Sequence, residues 1–119
     1  MIQINSTNVT IMVKDMDRSI RFYESIGLTL KQRWDDHYAM VETTGVTIGL
    51  HPGGDDNSGS GSVSIGFMVT DINEAKALLE KNNLLADATI DDGKSGIYIN
   101  FKDPDGTAVY FVEPKWTKW

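Results

Sequence analysis
The residues best suited to proton chemistry are few. Two histidines, His37 and His51, and no cysteine occur among 119 residues. An imidazole is the side chain whose proton is most readily moved near neutral pH. His51 ends the alternating run that starts at Val46, and Pro52-Gly53 follows it. It is either a ligand-binding or acid/base group, or a strand-end residue bonded to that turn. His37 follows Trp34-Asp35-Asp36 and reads as a solvated hairpin residue. Trp34 and Tyr38 flank the same tip. They would stack on an aromatic ligand at a cavity mouth, or pack on each other across two strands. Neither histidine has an orienting acid at a readable place, so no Ser-His-Asp arrangement can be assembled. Asp35-Asp36, Asp55-Asp56 and Asp91-Asp92 all fall at turn signals and read as solvated turn formers. The lack of cysteine excludes a thiol nucleophile, a thiolate zinc site and a disulfide framework. It fits a reducing compartment.

Period and punctuation give the elements that must position these groups. Asn8 to Val13 alternates as a half-buried strand. Asp15 then stands as a helix N-cap, Met16, Ile20 and Tyr23 recur at helical spacing, and Gly27 ends the helix. Leu28 to Trp34, His37 to Thr43 and Val46 to His51 read as three strands. The stretch from Pro52 to Ser62, rich in Gly, Ser and Asp, has the composition of a flexible linker. It has no lysine and precedes a strand, so it is not a phosphate-cradling loop. The pattern then restarts. Val63 to Val69 is a strand, and Asp71 with Glu74 comes close to a capping box. Ile72, Ala75 and Leu79 form an apolar helix face. Leu84 to Ile90 reads as a weak strand and Gly96 to Phe101 as a better one. Asp103-Pro104-Asp105-Gly106 is a strong turn before a last strand, Thr107 to Val112.

The two halves repeat. One fixed offset superposes Asn8 on Ser64, Met12 on Met68, Val13 on Val69, Asp15 on Asp71 and Leu28 on Leu84. Identity is low, but strand ends, caps and helix exits coincide. The expected organisation is α+β: a single domain of two tandem βαβββ modules. Module one spans about 1–52, a linker 53–61, and module two about 62–119.

Composition narrows the function. Apolar residues at 40% and charged residues at 24% argue for a folded domain. Its length suits one core burying roughly 65% of the unfolded surface. The net charge is −6 and no basic patch breaks it. Such a chain repels nucleic acid and anionic lipid. No apolar run reaches the length of about 18 residues needed to span a membrane, and the N-terminus lacks signal-peptide features. A cytoplasmic protein with a small-molecule or protein partner is expected, without nucleic acid or membrane.

Two segments resemble the vicinal oxygen chelate superfamily, which includes glyoxalase I, bleomycin-resistance proteins, fosfomycin-resistance enzymes and extradiol dioxygenases. Asn8 to Tyr23 is similar to the opening strand and helix of that group. Phe101 to Tyr110 is similar to its closing Asp-Pro-Asp-Gly hairpin. The resemblance implies paired βαβββ modules whose sheets curve around an open cavity, in homodimers. It also implies, for the family's enzymes, a divalent metal held by side chains from the first and last strand of each module, usually histidines and glutamates. Carried over, those positions fall on Asn8, Gly49, Ser64 and Tyr110. Asparagine is a weak donor, serine and neutral tyrosine are poor ones, and glycine offers none. No metal and no cofactor is therefore expected.

Alternation assigns the faces. Val9, Ile11 and Val13, then Ile65, Phe67 and Val69, belong toward the helices. So do Ile48, Leu50, Val109 and Phe111. Asn8, Thr10, Met12, Thr47, Gly49 and His51 face the cavity in module one. Ser64, Gly66, Met68, Ala108, Tyr110 and Val112 face it in module two. Small side chains there leave volume, and methionine adapts to irregular shapes. With Trp34 and Tyr38, this lining predicts a site for a small apolar or aromatic compound. His51 and Tyr110 are the candidates for any acid/base role. The alternatives are a lyase- or dioxygenase-type enzyme of the same group, metal-free or with His51 drawn into the module-one metal position, and a structural or regulatory dimer. Trp116 and Trp119 would be covered by a second subunit or by their own chain.

Overall fold
The structure is a computed structural model that describes residues 8–53 and 63–115. Its chain forms two compact units, 1–60 and 61–119. The first contains β1 (Asn8–Val13), α1 (Met16–Ser25), β2 (Thr29–Trp34), β3 (Tyr38–Thr43) and β4 (Val46–Pro52). The second contains β5 (Ser64–Met68), α2 (Ile72–Lys81), β6 (Thr89–Asp92), β7 (Gly96–Lys102) and β8 (Ala108–Pro114). Each unit is thus a βαβββ module. The sheet orders are β1-β4-β3-β2 and β5-β8-β7-β6, with the first strand parallel to the last and the other pairs antiparallel. The linker expected at 53–61, the order of the 53–62 loop, and Trp116 and Trp119 fall wholly or mostly outside the described residues.

The repeat reaches the helix ends. Asp15 caps α1 by accepting the Arg18 N–H at 3.1 Å, and Asp71 caps α2 by accepting the Asn73 N–H at 2.9 Å. Both helices close in a Schellman turn, with left-handed Gly27 (φ +113) and Asn83 (φ +60) at the same place. Leu28 N–H returns to the Tyr23 carbonyl at 2.9 Å, and Leu84 N–H to that of Leu79 at 2.8 Å. Asparagine tolerates the left-handed region almost as glycine does, which is why the second exit works without one.

Glu74 does not complete a capping box. The Ile72 N–H, a separate orphan of the first turn, is taken by the Glu113 carboxylate, reaching from β8 at 2.8 Å. A carboxylate there also meets the positive end of the helix. Glu113→Ala is expected to cost about 1 kcal/mol of stability, the usual value of an N-terminal cap. Glu113→Gln, which keeps an acceptor, should recover part of it. Urea unfolding of both variants checks this.

The covered sheet faces follow the alternation. Ile11, Val13, Ala39, Val41, Ile48 and Leu50 are buried, as are Ile65, Ile99, Phe101, Val109 and Phe111. α1 lies against β2, β3 and β4, and α2 against β7 and β8. Val9 departs from expectation. It pairs with buried Ile48 but is 38% exposed, because β1 is an edge strand and Val9 lies near its start. Val112, assigned to the open face, is buried, with its methyl group over Gly96.

One strand is displaced. Leu84 to Ala88 forms turns, and β6 occupies only Thr89–Asp92. The Schellman turn takes Leu84, and Ala88 N–H bonds the Leu85 carbonyl at 3.1 Å. Leu84, Leu85, Ala86, Asp87 and Ala88 include no β-branched residue to favour a pleated strand.

Candidate functional site
Strand register lays the open face of the first sheet out in rows, because paired residues share a face. Asn8, Thr47, Glu42 and Thr29 form one row, and Thr10, Gly49, Met40 and Gln32 the next. Met12 and His51 are paired, as are Tyr38 and Trp34. Trp34 reaches this face through a bulge. The β2–β3 register shifts between Leu30 and Gln32, so Leu30 keeps to the covered side opposite Val41. Without the extra residue, period-2 alternation would send Trp34 to the covered side.

The result is an aromatic stripe. The Trp34 and Tyr38 rings are 5.8 Å apart, and those of Tyr38 and His51 6.4 Å. Trp34 is 43% exposed and so is Met12 beyond His51. The Tyr38 hydroxyl lies 3.0 Å from the Thr10 hydroxyl. To reach it the ring crosses Gly49, where a Cβ would overlap the phenol. Gly49 therefore does not leave open volume, as expected from its size. Its space is filled by Tyr38.

His51 is bonded to the turn after it. Its Nδ1 lies 2.8 Å from the Pro52 carbonyl, which can only accept. Nδ1 therefore carries a proton, and in the neutral ring Nε2 is the atom left with a lone pair. This is the strand-end arrangement, and it leaves Nε2 on an exposed ring. His37 is exposed in the hairpin turn, with its N–H on the Trp34 carbonyl at 2.9 Å. Asp36 of that turn, with Asp17, holds Arg33 at 2.7 and 2.8 Å. The two carboxylates, Asp17 first, raise the guanidinium pKa above its ordinary value.

The second sheet repeats the plan with other residues. Gly66, Tyr110, Asn100 and Thr89 form one row across its four strands. Ser64, Ala108 and Lys102 form the next, and Met68, Val112, Tyr98 and Asp91 the row on the other side. Tyr110 is half-buried and lies across Gly66, where a Cβ would overlap its ring. Tyr98 stands 5.8 Å from it, ring to ring. Met68, at 56% exposure, is open.

A groove of about 660 Å³ runs over this face. Ser64, Ala108, Tyr110, Asn100, Lys102 and Thr89 line it from the sheet, and Asn83, Leu84 and Asp87 from the turns after α2. The structure thus gathers Asn8, Thr10, Met12, Trp34, Tyr38, Thr47, Gly49 and His51 on one open face. It gathers Ser64, Gly66, Met68, Ala108 and Tyr110 on another. Sequence reasoning missed Asn100, Lys102 and Thr89. Alternation within β7 would have found the first two, since they share the parity that faces Tyr110 and Ala108. Asp87 carried no signal, because a strand is expected over Leu84 to Ile90 where a turn forms, and Asn83 stands just before that stretch, at the exit of α2.

The residues at the implied metal positions do not suit a divalent cation. Asn8 and Ser64 are neutral and exposed, Gly49 lies under a phenol, and Tyr110 lies over a glycine. Among the described residues, no three His, Cys, Asp or Glu side chains converge. No described helix is long and apolar enough to cross a membrane.

A model of the Glyoxalase/Bleomycin resistance protein/Dioxygenase superfamily matches residues 3–111. The chain belongs to that superfamily. Among its relatives, an uncharacterized protein of Mycolicibacterium smegmatis (strain ATCC 700084 / mc(2)155) is 32% identical over 72 residues. That match covers 60% of this chain and 61% of the relative, less than two thirds of its length. A glyoxalase family protein from Bacillus anthracis has a solved structure similar at a TM-score of 0.77 and 20% identity, covering 97% of this chain and 98% of that one. TnmS3, an antibiotic binding protein from Streptomyces sp. CB03234, is similar at 0.75 and 19%, covering 97% and 99%. At these identities the likeness to solved structures is one of fold. The superfamily's paired βαβββ modules are the architecture described above.

Proposed function
We propose that this superfamily member binds a small, largely apolar or aromatic compound on its open sheet faces. The observation that carries the reading is the phenol laid across a glycine in each sheet. Gly49 and Tyr110 stand where the superfamily's enzymes are expected to hold metal ligands. Here Tyr38 covers the one, and the other is itself the aromatic surface. Such a face offers stacking area and hydroxyl partners, with no array of charged donors. In module one the contacts come from Trp34, Tyr38, His51, Met12, Thr10, Asn8, Thr47 and Gly49. In module two they come from Tyr110, Ala108, Ser64, Gly66 and Met68. The likeness in fold to an antibiotic binding protein supports binding without turnover.

Native mass spectrometry of the purified, gently desolvated protein tests the reading. A homodimer carrying a co-purified small molecule and no metal is the expected spectrum. That molecule, added back, should raise the melting temperature in proportion to the logarithm of its concentration. A stoichiometric divalent metal bound at each site, with no compound, would overturn the reading.

A further inference from the structure
Three charged residues line the groove of the second unit, and the apolar reading uses none of them. Asp103 is buried, and its Oδ1 is engaged by the N–H groups of Asp105 and Thr107, which leaves Lys102 and Asp87 as the exposed pair. Lys102 faces it from the end of β7 and Asp87 from the turn before β6. The register that pairs Thr89 with Asn100 would bring Asp87 opposite Lys102 if β6 began two residues earlier. The chain turns at Leu85–Ala88 instead, and the two charges stay apart. Lys31 pairs with Glu42 at 3.7 Å and Lys115 with Asp92 at 2.5 Å. Lys102 and Asp87 form no ion pair with each other or with any other described residue.

We infer that this groove selects a small zwitterion, an aromatic or apolar body with an anionic group for Lys102 and a cationic group for Asp87. The inference rests on the reading that the open faces bind small molecules, and it names the class taken by this one. Its volume of about 660 Å³ lies within the range of ordinary ligand clefts, roughly 300–1,000 Å³. Ala108 is small and leaves room on the floor, beside the ring of Tyr110. Asn100, Thr89 and Ser64 supply neutral donors and acceptors elsewhere along the groove.

Charge decides among ligands. A simple anion meets a chain of net charge −6 and the Asp87 carboxylate at close range. A simple cation meets the Lys102 ammonium. Either one, on binding, excludes water from the charge it leaves without a partner, and that is unfavourable. A zwitterion pairs both and is itself neutral.

Four probes of similar size separate these cases in calorimetric titrations of the full chain. They are 4-(aminomethyl)benzoate, 4-methylbenzoate, 4-methylbenzylamine and 4-methylbenzyl alcohol. The zwitterion is expected to bind at least tenfold more tightly than each of the others. Lys102→Met should abolish its advantage over the amine, Asp87→Asn its advantage over the benzoate, and Lys102→Arg should retain both. Unchanged near-ultraviolet circular dichroism will show that each variant is folded. A zwitterion that binds no more tightly than the alcohol, or not at all, overturns the inference. So does a preference that survives both charge-removing substitutions. The broader binding reading stands or falls separately, on the native mass spectrum.

Discussion

Asp103→Ala will lower the unfolding free energy by about 3 kcal/mol, and Asp103→Asn by about 1 kcal/mol. The carboxylate is 4% exposed and closes the loop between β7 and β8. Its Oδ1 accepts the N–H groups of Asp105 and Thr107, both at 2.9 Å. The Asp103 N–H reaches the Thr107 carbonyl at 2.9 Å, and Gly106 N–H the Asp103 carbonyl at 3.0 Å. Gly106 supplies the left-handed φ of +92 that this path needs. Alanine would leave two buried N–H groups without an acceptor. Each such loss costs about 1–3 kcal/mol, and the bonds to a charged acceptor are the stronger kind. Asparagine keeps one oxygen for these N–H groups, while it loses the charge and puts an amide N–H donor in place of the second oxygen. Thr107 is the contrast within the same loop. Its Oγ1 is buried and has no partner among the described residues, so Thr107→Val should be neutral or stabilising. Urea midpoints at an unchanged m-value will measure all three. An Asp103→Ala variant as stable as the parent would show that the loop is held by its backbone alone.

That loop is where sequence and structure agree best, and the reason is physical. Asp-Pro-Asp-Gly specifies its conformation within a few residues, through one fixed φ, one acceptor and one glycine. The helix starts at Asp15 and Asp71 and the exit at Gly27 are local in the same way. The second exit is weaker to the eye because Asn83 takes glycine's place, although the turn it makes is the same. What the sequence does not disclose depends on a partner strand. The bulge after Leu30 exists only in the pairing of β2 with β3, yet it decides which face carries Trp34. The space above Gly49 and Gly66 depends on a tyrosine from a neighbouring strand. Glycine there suggested a hollow, and in both sheets the hollow holds a ring. The groove depends on a turn at Leu84–Ala88, inside a stretch whose sequence predicts a weak strand. Thus alternation found which residues share the open faces, and the interstrand contacts determine how much of those faces is open.

The same contacts give the second large effect. Gly66→Ala is expected to weaken binding of a neutral aromatic probe, 2-naphthol, at least tenfold, or about 1.4 kcal/mol. A Cβ at Gly66 cannot coexist with the Tyr110 ring as it lies, since its hydroxyl end and ring edge both occupy that position. The ring is the movable partner: it is half-buried and hinged at β8. It must swing off β5, and on its other side stand Asn100 and Tyr98. The swing carries it over the groove that Tyr110 now borders, so the substitution fills the space a ligand would use. The accompanying loss of stability is about 1–3 kcal/mol, as for other overpacked sites. Gly93→Ala is the control, because a Cβ there meets only the Gly96 carbonyl at 3.7 Å, an ordinary contact. It should leave both affinity and stability within error. The Tyr98–Tyr110 pair supplies a readout that needs no ligand. Its near-ultraviolet circular dichroism should change in Gly66→Ala and not in Gly93→Ala. A changed dichroism with unchanged affinity would mean that the compound lies away from Tyr110, and would move the binding face to Trp34, Tyr38 and His51 in the first unit.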